Sequence, residues 1–409
     1  MKILIKGGRV MDPAGGFDQR CDLALADAKI VAIKDIGADF HPDRVIDASR
    51  CVVAPGLVDL SVRLREPGHE HARMLESEMA AAVAGGVTSL VCPPDTDPVL
   101  DEPGLVEMLK FRSQKLHQAR VYPLGALTRG LAGEVLTEMV ALTGAGCVGF
   151  GQAEKPLGNT QVLLRAMQYA STFGYTVWLR AQDRDLGAGV VASGPLATRM
   201  GLAGIPVAAE TIAIHTIVEL VRATGARVHL CRLSSADGLE LVRQAKAEGL
   251  PLTCDVSINS LHLIDLDIGY FDSRAHLQPP LRQQRDRDAI RLALADGTVD
   301  ALVSDHNPVD EDAKTLPFAE SEPGATGVEL LLGLSLKWAA ASGVALQRAL
   351  SVISCVGGAA DLCLFDPARG WSVTADSLRS QGKHTPFSGY ELPATVVCTI
   401  VDGRLAFEA

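Results

Sequence analysis

Eight short apolar runs recur along this chain, each followed by a stretch that can form a helix. They cover residues 56–60, 87–92, 120–124, 147–151, 176–180, 227–232, 252–256 and 299–305. Strands separated by helical segments cannot pair as hairpins, so they line up in parallel. Eight repeats is the number that closes such a sheet on itself. The fold class predicted is therefore α/β, a (β/α)8 TIM-type barrel. A chain of 409 residues has more length than the barrel needs,. Residues 1–53 alternate in short strands with turns at Gly7-Gly8, Pro13-Ala14-Gly15-Gly16 and Asp27-Ala28, and the tail beyond Ala359 returns to short strands,. The expected organisation is 1–53 and 356–409 forming one small β-sandwich domain from both termini, with 54–355 as the barrel between them.

Charge and hydropathy narrow the function classes. A formal net charge of -11 and a pI near 5.4 leave no basic face for nucleic acid,. The longest apolar stretch, residues 328–346, carries Glu329 and Lys337 at helical spacing and reads as a barrel helix, not a membrane span,. Met1-Lys2-Ile3-Leu4-Ile5 looks like a first strand and not a targeting segment, so a cytoplasmic protein is expected. The nine cysteines are scattered without a C-x-x-C pair. Cys92, Cys147, Cys231 and Cys254 lie inside apolar runs, which predicts reduced core residues.

The stretch most informative about chemistry follows the first barrel run: Asp59-Leu60-Ser61-Val62-Arg63-Leu64-Arg65-Glu66-Pro67-Gly68. Side chains at i and i+2 of a strand share a face, so Ser61 and Arg63 point together into the barrel mouth. Further landmarks are Pro94-Asp95-Thr96-Asp97-Pro98, Tyr122-Pro123-Leu124-Gly125-Ala126, Ala181-Gln182-Asp183-Arg184-Asp185-Leu186 and His229-Leu230-Cys231-Arg232-Leu233-Ser234. Pro279-Pro280-Leu281-Arg282, Ser304-Asp305-His306-Asn307-Pro308 and Gly382-Lys383-His384-Thr385-Pro386-Phe387 follow in order. Through these motifs the chain resembles dihydroorotases and their hydantoinase and allantoinase relatives, over nearly its whole length.

That resemblance implies a zinc site, and this chain departs from it. The family's His-x-His falls on Ser61 and Arg63. The aspartates of its acidic turn after strand four fall on Gln152 and Ala153, just ahead of Glu154. The histidines ending strands five and six fall on Arg180 and Arg232. Asp305 alone survives of the catalytic positions. Serine is a poor ligand and a guanidinium has no lone pair to give, whereas Zn²⁺ takes about four ligands. Each arginine also adds repulsion, roughly 3 kcal/mol per pair of unit charges at 6 Å and an effective dielectric near 20. No metal is expected, and the arginines are expected to pair with Asp305 and Asp59. Remnants of the substrate pocket implied by the resemblance are Arg65, which grips a substrate carboxylate in the family, together with His306, Asp95 and Gln278. The last two stand where relatives have asparagine.

Three functions follow from the resemblance. The first is a non-catalytic homologue in pyrimidine biosynthesis, a structural subunit assembled with the catalytic chain of aspartate transcarbamoylase, itself dimeric within a larger complex. The second is an active cyclic-amide hydrolase, with His306 beside Asp305 as the one candidate base couple. The third is a sensor holding a small anion or pyrimidine precursor in the remnant pocket. His69-Glu70-His71 is a His-x-His in a loop past Pro67-Gly68 and is expected to bind nothing. Asn259-Ser260 replaces a histidine pair of the relatives, and residues 350–361 are several residues short of the usual barrel exit.

Overall fold

A computed structural model of the chain describes residues 1–70, 73–354 and 360–409. The eight apolar runs become eight parallel barrel strands: Leu57–Asp59 (β1), Val87–Cys92 (β2), Arg120–Pro123 (β3), Phe150–Gly151 (β4), Thr176–Leu179 (β5), Arg227–Leu230 (β6), Leu252–Ser257 (β7) and Ala301–Val303 (β8). β2 is buried at every position, as a parallel strand covered on both faces must be,. β3 runs on into Gly125–Ala126, which pairs with β4. The ring closes at the mouth, where Arg63 N donates to His306 O at 2.9 Å and His306 N to Ser61 O at 3.1 Å. At the base the backbone of residues 352–354 fills the gap between β1 and β8, through Val58 N to Ile353 O and Leu302 N to Val352 O, both 2.8 Å. No barrel edge is left open among the described residues,.

The satellite is one eight-stranded sheet drawn from both termini. Its order runs Arg404–Glu408, Thr395–Val401, Leu362–Asp366, Val52–Pro55, Ile3–Asp12, Phe17–Ala26, Lys29–Ile33, with Arg44–Asp47 also on Ile3–Asp12. Ile3–Asp12 thus carries two parallel partners end to end, Arg44–Asp47 and Val52–Pro55. The sheet folds over its own core of Ile3, Ile5, Leu23, Leu25, Leu364 and Ile400, giving a small β-sandwich. Part of the tail does otherwise: residues 371–392 lie on the barrel, where Lys337 Nζ donates to Glu391 O and the N–H groups of Arg379 and Ser380 bind Glu329.

The apolar stretch 328–346 forms the helix Leu331–Ser342 with Trp338 buried. No helix among the described residues is long and apolar enough to cross a membrane. The eight described cysteines are unpaired. His71, and with it the His-x-His at 69–71, falls outside the described residues, as do residues 355–359 of the shortened exit.

Candidate functional site

Strand ends deliver the site. Ser61 and Arg63 follow β1, Glu154 sits in the turn after β4, Arg180 follows β5, Arg232 follows β6 and Asp305 follows β8. Glu154 is the hub. Its Oε1 accepts from Arg63 Nη2 at 2.9 Å and from Arg232 Nη2, and its Oε2 from Arg180 Nη1 at 2.5 Å. Arg63 Nε also reaches Asp95 Oδ2 at 2.9 Å, and Arg232 Nη1 reaches Asp305 Oδ1 at 2.9 Å and Gln278 O at 3.3 Å. Three guanidinium groups therefore meet three carboxylates, and the cluster is neutral. Burial works against ionising Glu154, but Arg232, Arg180 and Arg63 overcome it and hold the carboxyl well below the usual range,. Burial pushes Asp305 upward, and Arg232 recovers only part of that shift.

Arg65 is engaged too, with Nε on Pro308 O at 2.7 Å and Nη2 on Glu322 Oε1 at 3.1 Å. A cavity of about 180 Å³ remains at the mouth, lined in part by Arg63, Arg65, Asp95, Gln278, Asp305 and Glu322. A smaller one of about 30 Å³ lies against Ser61, Ala153, Arg180 and Trp178. The backbone is left-handed at Arg65, Ala153, Arg232 and Asp305, with φ from +50 to +61°. Such conformations cost about 1–3 kcal/mol each and collect at sites that the surroundings hold in shape.

Several expectations need correction. The arginines do pair with Asp305, through Arg232, but none reaches Asp59. That carboxylate is fully buried below the mouth and accepts the N–H of Ser61 and Ser304 at 3.2 Å. His306 does not face the cavity or form a couple with Asp305. Neighbouring residues point to opposite faces, and its Nε2 bonds Glu78 Oε2 at 2.8 Å while Nδ1 accepts from Gly327 N and Val328 N. Gln152 turns away from the site, bonding Thr128 Oγ1 and Leu131 O. Glu154 and Glu322 were not singled out from sequence. The signal for Glu154 was there, a carboxylate one residue beyond the turn positions given to Gln152 and Ala153.

The donor set does not fit Zn²⁺. Of the seven positions, three carry guanidinium groups without a lone pair, one a serine, one an alanine and one a glutamine turned away from the site, and Asp305 is held by Arg232,. Among the described residues one mixed group does come together: ligand atoms of His229, Cys231 and Asp255 lie within 4.8 Å of one another. Its acceptors are already used. Asp255 takes His229 Nε2 at 2.8 Å on one oxygen and Arg232 N at 2.7 Å on the other, and His229 Nδ1 meets Thr253 Oγ1 at 2.8 Å. Burial, with Asp255 nearby, keeps the Cys231 thiol well above its ordinary value. The group braces the backbone of Arg232 in its left-handed turn.

Residues 50–238 match the family model described as dihydro-orotase-like. The chain is similar to a dihydroorotase-like protein of Pseudomonas aeruginosa, 46% identical over all of both chains, and to one of Pseudomonas putida, 44% identical over 99% of each. A dihydroorotase of Geobacter sp. (strain M21) is 37% identical over the full length of both. Among solved structures, the L-hydantoinase (dihydropyrimidinase) of Arthrobacter aurescens shares the fold with a TM-score of 0.87 at 24% identity, covering 99% of this chain and 96% of that one. A D-hydantoinase gives 0.83 at 20% identity, covering 100% and 95%.

Proposed function

Because this chain belongs to the dihydroorotase-like family of the amidohydrolase superfamily, we propose that it is a non-catalytic member, kept as a structural subunit for the catalytic chain of aspartate transcarbamoylase. The observation that carries this reading is the closed charge cluster on Glu154. Hydrolysis of a cyclic amide requires a water activated by a metal or by a positioned base. Here three of the positions that would hold a metal hold guanidinium groups, and each guanidinium is already matched by a protein carboxylate. The one histidine at the end of β8 is fully buried against Glu78. A fold retained over its full length, with its reactive groups replaced by ion pairs, is what selection for an interface leaves behind.

A sensor of small anions is the second reading. Arg65 opens onto the 180 Å³ cavity, and the carboxylate on it, Glu322, is half exposed and could be displaced by an anion.

Two measurements on purified protein test the first reading. Zinc should stay below about a tenth of an equivalent, and dihydroorotate hydrolysis should not exceed background with or without added zinc. Coexpressed with the transcarbamoylase catalytic chain of the same genome, the protein should elute as one complex on size exclusion. Turnover abolished by a chelator would return it to the hydrolases, and separate elution at micromolar concentration would leave the sensor.

A further inference from the structure

Two loops roof the barrel mouth, residues 264–276 after β7 and 308–324 after β8. They are clasped together from below. Lys314 Nζ donates to Ser273 O at 2.9 Å and His276 O at 3.3 Å, and Ser273 Oγ donates back to Lys314 O at 2.5 Å. His276 Nδ1 meets Ser321 Oγ at 2.9 Å, and Gly324 N donates to His276 O at 3.0 Å. Lys314 and His276 are buried, so the outer face of this pair of loops is held in one shape.

That face is apolar where exposure is greatest. Tyr270 is 95% exposed and Leu266 61%, with Phe271 at 40% on the same loop and Leu316 at 46% on the other. Tyr270 and Phe271 meet edge to face at 5.6 Å, an aromatic pair turned to solvent. An aromatic ring buries about 150–250 Å² when covered, so leaving Tyr270 uncovered and Phe271 part-covered on a clasped loop forgoes stabilisation,. The exposed charges on these loops are Asp267, Glu311, Asp312, Glu320 and Glu322 against Arg274 alone, and Arg274 is bound to Asp272. Lys314, the other cation of the two loops, is buried beneath them.

Charge selects the occupant. A second copy would bring the same acidic rim against itself, and nucleic acid or an anionic membrane would be repelled. We propose that this face docks a protein surface offering an apolar pocket ringed by lysine and arginine, with Tyr270 and Phe271 as the anchors and the acidic rim as the steering element. The inference rests on the assembly reading, under which the partner is the transcarbamoylase catalytic chain, and it names the surface that reading leaves open.

The test is surface plasmon resonance of this protein over immobilised transcarbamoylase catalytic chain. The double variant Tyr270→Ala/Phe271→Ala should weaken Kd at least about 30-fold, mainly through faster dissociation, as central aromatic anchors do. The variant Glu311→Gln/Asp312→Asn/Glu320→Gln should slow association by about tenfold at low salt, with little change in dissociation. These side chains are exposed, so melting should match the wild type and separates lost docking from lost fold. Wild-type binding with the double variant within about threefold of it overturns this face and leaves the assembly reading standing. No wild-type binding overturns both. A wild-type dimer that the double variant breaks would give the face to a second copy and overturn the proposal.

Discussion

Glu154 offers two oxygens to three guanidinium groups, and Asp95 and Asp305 take up further donors of Arg63 and Arg232, while Arg232 Nε has no hydrogen-bond partner among the described residues. Buried ion pairs add little net stability when complete, but losing one partner costs about 3–5 kcal/mol. The residues around Glu154 are thus fixed by one another. Asp59 lies outside that network. It is fully buried, its Oδ2 has no hydrogen-bond partner among the described residues, and burial pushes its carboxyl up to about 6. A carboxyl that is less acidic folded than unfolded favours the folded state while protonated. That stability is whole below about pH 4 and is lost as pH rises through about 6. Asp59→Asn removes the slope. The stability of the variant relative to wild type should grow by up to about 3 kcal/mol between about pH 4 and pH 7.5, read from urea unfolding at each pH. A difference that does not change with pH would mean that Asp59 is ionised in place. The sequence made the loss of ligands legible at Ser61, Arg63, Arg180 and Arg232. It did not reveal the hub, because which carboxylate meets three arginines depends on turns that meet only in space.

At the scale of elements, the barrel strands were legible because each is a short apolar run in a polar context, and all eight lie where the runs lie. What pattern could not supply is the direction of side chains just past a strand end, where the backbone leaves the strand. His306 follows Asp305, whose φ is +53°, and is carried under the mouth to Glu78, while Arg65 at +61° is turned toward Glu322. The same strand ends decide whether the site can be repaired. Ser61→His/Arg63→His restores two ligands after β1 but leaves Arg180 and Arg232 after β5 and β6, and it strips Asp95 of its arginine and Glu154 Oε1 of one of its two. The double variant should show no dihydroorotate turnover with added zinc and should unfold more easily by about 3 kcal/mol. Measurable turnover would mean that the two arginines move aside for a metal.

The whole molecule behaves as one body if the satellite and barrel cannot part without breaking buried contacts, and the seam between them argues that they cannot. Leu362–Asp366 pairs with Val52–Pro55, the strand that leads directly into β1. Thr399 Oγ1 donates to Val83 O at 2.7 Å in the seam, and Arg120 at the base of β3 is bound to Asp361 and Asp402. Cys363 and Phe365 belong to the barrel's own hydrophobic core. Gly86 marks how tight the seam is. Its φ is +84°, and a Cβ there would stand 2.4 Å from Cys363 Sγ. Gly86→Ala therefore combines a left-handed backbone with a clash across the seam, for a cost of about 2–4 kcal/mol. Calorimetry should show a single endotherm for the wild type, and the variant should move that endotherm down as a whole. Two endotherms, with only the smaller displaced, would mean that the satellite folds on its own. The barrel roof would then be a docking face carried by a separable domain instead of a rigid one.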